Sequence, residues 1–293
     1  MAAAIVYSDG TTPMAESVFA KSEGSEQSRA VESAARGVLY QILNVIQAGF
    51  LACWSTLWIT LALLVAVATR KQELALAMAR RIWAPPLRWI AQARIDVDLM
   101  PDIDWKQPHV FVMNHESMLD IVVAFIVLPV NLRFVAKQVL KYVPFLGWYM
   151  WATGMLFVQR GKGGISMGSL QEAGARVRAG ANVLVFPEGT RARGSGFLPF
   201  KKGAFVLATA AQVPIVPVAI EGSRRCLPPD GFRSRPGRVR VKVGAPIPTA
   251  GLGRDDLPEL VARTRRALSE MHVAMGGLGA VDPAPLPPNR RRS

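Results

Sequence analysis

Two cysteines, Cys53 and Cys226, are too few for a disulfide framework. Cys53 lies inside an apolar run, so a disulfide is not expected and a reducing compartment fits. Histidine is almost as scarce: His109, His115 and His272 are the full set. With no cysteine pair at metal-binding spacing, these leave a zinc site little to work with, and no metal is expected. Acidic residues are outnumbered, 21 against 35 basic ones, for a net charge of +14. Such a chain favours acidic partners: an anionic membrane surface, phosphorylated ligands or nucleic acid. Charge is missing altogether from residues 37–69. That gap argues against nucleic acid as the partner, and no internal repeat breaks the chain into copies.

What is there begins with residues 1–36, rich in Ser, Ala, Gly and Glu, expected to form a flexible leader. Its acidic residues and the late start of the apolar run argue against a signal peptide. The uncharged run follows. Gln41, Asn44 and Gln47 give its first part a polar stripe, whereas Ala48–Thr69 is mostly apolar. As a helix that second part would extend roughly 33 Å, against a hydrocarbon core of about 30 Å. It is long enough to span, and an interfacial helix or a buried hairpin is the alternative. Arg70, Lys71, Arg80, Arg81 and Arg88 follow it. Positive charge stays on the cytoplasmic side, which places the remainder of the chain there, on the cytoplasmic membrane. Pro85-Pro86 is expected to break whatever helix follows the run. Residues 37–94 therefore form a membrane-associated helical segment.

From about Ile95 the pattern changes. Apolar runs at 109–113, 132–136, 155–159, 182–187, 213–220 and 238–243 read as strands, with helix-length stretches at 117–128, 165–179 and 202–212 between several of them. A last helix is expected over 256–275. The alternation predicts an α/β fold, a mixed and largely parallel sheet flanked by helices, over residues 95–276. Val213-Pro214-Ile215-Val216-Pro217-Val218 carries two prolines and so reads as an edge strand or a groove lining. Tyr142–Val158 is uncharged and holds Trp148, Tyr149 and Trp151; it reads as core plus a membrane-dipping surface. Residues 277–293, ending Arg290-Arg291-Arg292, read as a disordered basic tail.

Chemistry concentrates at strand ends. Asn114-His115-Glu116-Ser117-Met118-Leu119-Asp120 puts a histidine and an aspartate five positions apart just after a strand. With a helix starting near Ser117, Asp120 lies in its first turn and reaches back to the His115 ring. A carboxylate on one ring nitrogen fixes the tautomer and frees the other to take a proton. Phe186-Pro187-Glu188-Gly189-Thr190-Arg191 follows another strand. Pro187 fixes the backbone, Gly189 permits an unusual turn, and Thr190 with Arg191 presents a hydroxyl and a guanidinium suited to phosphate. Arg193, Lys201 and Lys202 follow closely, which favours an anion site over a plain turn. Gly154–Arg160 is a strand ending in an arginine. Arg233, Arg235, Arg238, Arg240 and Lys242 form a basic run, either a docking face or a solvated strand face. Gly164-Ile165-Ser166-Met167-Gly168 matches the serine-hydrolase elbow, but a soft glycine spacer precedes it where a sharp strand-to-helix turn is required.

Four of these stretches, in order, resemble the glycerophospholipid acyltransferase family, and within it most closely the 1-acyl-sn-glycerol-3-phosphate acyltransferases. Asn114, His115 and Asp120 match the first block, with Ser117. Gly154, Phe157 and Arg160 match the second, Phe186–Arg191 the third without a substitution, and Pro214–Pro217 the fourth. The resemblance covers roughly residues 90–250. It implies acyl transfer from a thioester, acyl-CoA or acyl carrier protein, to the free 2-hydroxyl of a lysophospholipid, without metal, flavin or nucleotide cofactor. His115 would be the general base oriented by Asp120. Arg160 and Arg191 would hold the acceptor phosphate, with Glu188, Gly189 and Thr190 shaping the loop and Lys137 a further phosphate ligand. Position 116, variable in the family and Glu here, is expected to bear on substrate choice. Three alternatives stay open: another lyso-lipid as acceptor (a lyso-ornithine lipid or other lysophospholipid), a serine lipid hydrolase using Ser166, and a non-enzymatic basic protein of the membrane surface.

Overall fold

A computed structural model describes residues 13–99, 103–158, 167–194, 196–229 and 234–280. In chain order its elements are α1 (Pro13–Thr69), α2 (Gln72–Met78), a π-helical turn (Ala79–Trp83), α3 (Ala84–Ile90), β1 (Ala93–Leu99), β2 (Val110–Met113), α4 (Leu119–Val127) and β3 (Leu132–Lys137). A 3₁₀ turn (Gln138–Tyr142), α5 (Leu146–Ala152), β4 (Leu156–Val158), α6 (Met167–Arg178), β5 (Asn182–Val185), α7 (Gly203–Ala211), β6 (Ile215–Glu221), α8 (Ser223–Cys226), β7 (Gly237–Val243) and α9 (Leu257–Ala274) complete it. The chain divides at Gln47–Ala48 into two units. In the first, the described residues are helical from Pro13, within the stretch expected to be a flexible leader. The second holds the sheet and its flanking helices.

The seven strands order β1-β7-β6-β2-β5-β3-β4. Five of them, β6, β2, β5, β3 and β4, run parallel, and β7 turns back antiparallel on β6 with β1 parallel beside it. The central strand explains the layering. Val110-Phe111-Val112-Met113 is buried at every position, as a parallel strand covered on both faces must be. Phe111 and Met113 point to one side, into a core with Leu132, Phe134 and residues of α2, α3 and α4. Val110 and Val112 point to the other, into a core with Ala173 of α6, Phe205 and Leu207 of α7, and Leu260 and Leu268 of α9. At about 1.5–3 kcal/mol for each large apolar side chain buried, these two layers hold the sheet rigid behind its strand ends.

Several expectations are corrected. Val213–Val218 is not an edge: β6 lies between β7 and β2. Ile215 exchanges both backbone hydrogen bonds with Ile247, and Pro217 offers only its carbonyl, to the Gly244 amide (2.9 Å). The missing proline N–H therefore falls where the neighbouring chain passes from the bridge at Ile247 to the end of β7, so no ladder bond is lost. β1 is a strand beyond the apolar runs identified above. Its sequence alternates Arg94, Asp96 and Asp98 with apolar residues, as an edge strand does. Those aspartates neutralise much of the basic run: Arg238 pairs with Asp96 (2.9 Å) and Lys242 with Asp98 (2.8 Å). Arg240 donates to the Met275 carbonyl, and Arg233 lies outside the described residues. The run is a strand face with local partners.

Pro85-Pro86 does not break the helix. It sits in the first turn of α3, entered directly from the π-helical turn, so its missing N–H groups fall at a helix start. Trp83 in that turn donates to Ser55 Oγ (3.0 Å) and accepts at its carbonyl from Trp54 Nε1 (3.1 Å). Among the described residues one helical stretch, Gly37–Thr69, is long and apolar enough to cross a membrane. From Ala48 on it buries Trp58 and Ala62 against the domain and leaves Leu57, Leu61, Leu64 and Val67 exposed. The first residues of the expected tail belong to the fold. Gly279 and Ala280 are hydrogen-bonded into the fold through His272 Nδ1 and Ser269 Oγ, and residues 281–293 lie outside the described residues.

Candidate active site

The ends of β2, β5 and β6 are neighbours, and each launches a loop at the same edge of the sheet. Asn114 sews two of them together. Its side-chain amide donates to the Ile220 carbonyl (2.9 Å) and accepts from the Ile220 amide (2.8 Å), extending the ladder by one side chain. His115 follows at once. Its amide donates to Glu188 Oε1 (2.9 Å), and its carbonyl accepts from the Ala192 amide (2.8 Å). The histidine backbone is thus bound on both sides to the loop after β5.

Asp120 lies in the first turn of α4, fully buried. Its Oδ2 is 2.8 Å from His115 Nδ1 and also accepts the amides of Glu116 (2.7 Å) and Ser117 (2.9 Å). An ionised carboxylate only accepts, so Nδ1 carries the ring proton and Nε2 keeps its lone pair. Nε2 makes no hydrogen bond among the described residues. The ring stacks on Phe186 with centroids 3.9 Å apart and 17° between planes, which leaves its orientation little freedom. Ser117 ties the same loop to α8, donating to the Leu227 carbonyl (2.6 Å).

Glu188 shapes the loop and does not face outward. It is buried, with Oε1 on the His115 amide and Oε2 on the Leu198 amide (2.9 Å). Burial pushes its carboxyl above the ordinary glutamate range, against the pull of those two N–H groups. A raised carboxyl binds its proton more readily folded than unfolded. Its contribution to stability therefore falls as pH rises from the usual glutamate range through its higher folded value. Glu188→Gln would set an N–H₂ group against one of the two amides. We expect a loss of about 1–3 kcal/mol, read as a lowered denaturation midpoint with a smaller fall in stability over that pH window; an unchanged midpoint would show that the loop does not depend on Glu188.

Gly189 turns at φ +74, a left-handed value suited to glycine, and a Cβ there would lie 2.8 Å from Lys201 Nζ. The loop is therefore backed by a lysine ammonium. Thr190 is exposed and Arg191 half-buried, immediately before the residue bonded to His115. Lys137 is exposed at the end of β3, whose neighbour β5 leads into this loop. Arg191, Lys137 and Lys201 have no ion-pair partner among the described residues. Arg160 lies outside the described residues, two positions beyond the end of β4. Ser166 lies outside them as well. β4 ends at Val158 and α6 begins at Met167.

Glu116 is turned into the protein. It is buried, 3.0 Å from His272 Nε2 and 3.6 Å from Arg224. Since the Gly279 amide donates to His272 Nδ1 (2.9 Å), His272 carries its proton on Nε2 and donates it to Glu116. Sequence reasoning missed this pair, the Asn114 clasp and the Phe186 stack. The first joins residues 156 positions apart, and only the motif blocks themselves hinted at the other two. Among the described residues no cluster could hold a metal ion.

Comparison with known proteins finds relatives in both sequence and fold. A family model described as Acyltransferase matches residues 92–221. The 1-acyl-sn-glycerol-3-phosphate acyltransferase of Saccharomyces cerevisiae is 36% identical over 186 residues, 62% of this chain and 61% of the yeast one. This chain thus spans under two thirds of that relative. The alpha form from Ovis aries is 34% identical over 199 residues, 67% of this chain and 69% of the sheep one. Among solved structures, the 1-acyl-sn-glycerophosphate (LPA) acyltransferase PlsC from Thermotoga maritima superposes with a TM-score of 0.67 at 23% identity, over 80% of this chain and 97% of that one, a likeness of fold.

Proposed function

The chain belongs to the acyltransferase family, and on that premise we propose that it transfers an acyl group from a thioester to the 2-hydroxyl of 1-acyl-sn-glycerol 3-phosphate, giving phosphatidic acid. The observation that carries the reading is the His115 Nδ1–Asp120 contact, with Nε2 left as an open acceptor at the sheet edge.

A hydroxyl is a weak nucleophile until a base takes its proton. His115 Nε2 takes it as the oxygen attacks the thioester carbon. The new C–O bond forms, the C–S bond breaks, and the imidazolium returns the proton to the departing thiolate. Asp120 stabilises that imidazolium and keeps the ring from turning. Arg160 and Arg191 hold the acceptor phosphate, as the family motif implies, with Lys137 and Lys201 as further cations; a guanidinium meets phosphate through two parallel hydrogen bonds. Gly189 and Thr190 give the loop its turn, and Glu188 anchors it. The donor is acyl-CoA or acyl carrier protein, and both acidic donors suit a basic rim. The apolar helix anchors the enzyme to the membrane that holds its acceptor, and the basic residues that follow it favour the cytoplasmic face.

The test is acyl transfer to lysophosphatidic acid in detergent or membranes, with lyso-lipids of other headgroups and both thioesters in parallel. Phosphatidic acid as the main product supports the reading. Turnover only of another lyso-lipid keeps the base chemistry and replaces the acceptor; no transfer to any of them removes the proposal.

A further inference from the structure

Helix α5 has a partner on one side only. Its inner face packs inward: the Tyr149 ring meets Trp58 of α1 edge-on at 4.6 Å, the Tyr149 hydroxyl reaches toward the Ala75 carbonyl of α2 (3.4 Å), and Met150 is buried. Its outer face carries Trp148 and Trp151, 55% and 68% exposed. The 3₁₀ turn before it adds Val139 and Tyr142, 63% and 74% exposed, and Phe145 stands between them. Folded domains seldom leave a contiguous apolar patch of this kind in water.

The patch is held in shape. Phe145 sits at φ +59, a backbone conformation that side-chain-bearing residues avoid. Its ring packs on Trp148 at 5.2 Å. The next turn leaves no room at Gly147, where a Cβ would collide with the Lys141 carbonyl. A strained turn kept in place by its surroundings presents these rings in a fixed array. Their kinds and neighbours point to one occupant. Trp and Tyr are the side chains that favour the boundary between headgroups and acyl chains. Lys137 and Lys141, both exposed, stand beside them, where anionic headgroups would lie. The inner face of the same helix rests on the apolar helix α1. The turn itself leaves the end of β3, at the sheet edge that carries His115.

We propose that the surface formed by Val139–Trp151 is a second lipid contact, seated in the headgroup region of an anionic bilayer independently of the apolar N-terminal run. Beside the site, it brings the acceptor's own membrane to the basic rim; that clause rests on the acyl-transfer reading, whereas the lipid contact does not.

The experiment uses the full chain with Cys53→Ala, because Cys53 is exposed and Cys226 is buried. A single cysteine is introduced by Trp148→Cys, by Leu57→Cys on α1 or by Glu259→Cys on α9, and carries an environment-sensitive dye. Each is placed in phosphatidylcholine vesicles with and without phosphatidylglycerol, some containing spin-labelled lipid. We expect a blue shift and strong quenching at positions 148 and 57 and none at 259, with quenching at 148 deepened by phosphatidylglycerol. Quenching at 57 with a water-exposed dye at 148 overturns the proposal. So does energy transfer between dyes at 148 on two chains without lipid quenching, which would assign the patch to a second copy. A separate arm reads activity. Trp148→Ser/Trp151→Ser should lose about tenfold on acceptor held in vesicles and keep its rate on a short-chain, water-soluble lysophosphatidic acid; equal losses on both speak against lipid docking. Failure of the unaltered chain to turn over either acceptor would count against the reaction and leave the quenching result to decide the contact.

Discussion

His115→Ala is expected to lower the rate of acyl transfer by about 10²–10⁴-fold, the contribution typical of a positioned general base. The loss should fall on kcat, with KM for either substrate little changed, because the imidazole acts as the hydroxyl proton leaves. The fold should survive. What binds the 115 loop to the rest of the molecule is the backbone of that residue, through Glu188 and Ala192, together with the side chains of Asn114 and Ser117. None of these is removed. The variant loses the ring stacked on Phe186 and its hydrogen bond to Asp120 Oδ2, which keeps the Glu116 and Ser117 amides as donors. Steady-state kinetics beside a thermal melt separates the two cases. A variant that keeps more than a tenth of the rate would mean that another group takes the proton.

Asp120→Asn probes charge with the geometry retained. One oxygen, Oδ2, accepts from the His115 ring and from the Glu116 and Ser117 amides, while Oδ1 is buried without a partner. An asparagine can keep an oxygen in the first position and put its amide nitrogen in the second. The three donors stay satisfied, the buried N–H₂ finds no acceptor, and the negative charge behind the imidazolium is gone. We expect the rate to fall by about 10²–10⁴-fold, at a stability cost of about 1–3 kcal/mol. Groups that act as a unit do not add. The double variant His115→Ala/Asp120→Asn should therefore be no slower than His115→Ala alone. If the two losses multiplied instead, Asp120 would have a task apart from orienting the ring.

How far these features could be read in advance depended on the range of the interaction. The His115–Asp120 contact spans five positions and one helical turn, so spacing alone pointed to it. The strand runs from Val110 to Val218 were legible because buried parallel strands are largely apolar sequence, and β7 because its buried valines alternate with basic residues. β1 was not, because half of its residues are charged and their partners, Arg238 and Lys242, lie in a distant strand. Pro217 misled for a similar reason. A proline tells that one N–H is absent, but whether a ladder needed that N–H depends on where Gly244 and Ile247 come to lie. Glu188 was recognised as shaping the loop, but nothing in Glu-Gly-Thr-Arg says that both its carboxylate oxygens are taken by the backbone amides of residues 115 and 198. Lys201, whose ammonium backs the Gly189 turn, stood out only as one basic residue among several.

Strand order also sets a timetable for the growing chain. β1 pairs with β7, and β2 is flanked by β5 and β6, so every strand N-terminal in sequence waits for one made much later. The sheet is dominated by distant pairings, which form slowly and leave strand edges open in the interim. The uncharged helix, in contrast, is complete before the first strand of the sheet is translated. A ribosome making this protein therefore presents an apolar anchor long before it presents an enzyme. The loop that carries His115 receives its full set of supports only after Gly279 has closed onto His272, when nearly the whole described chain has been made.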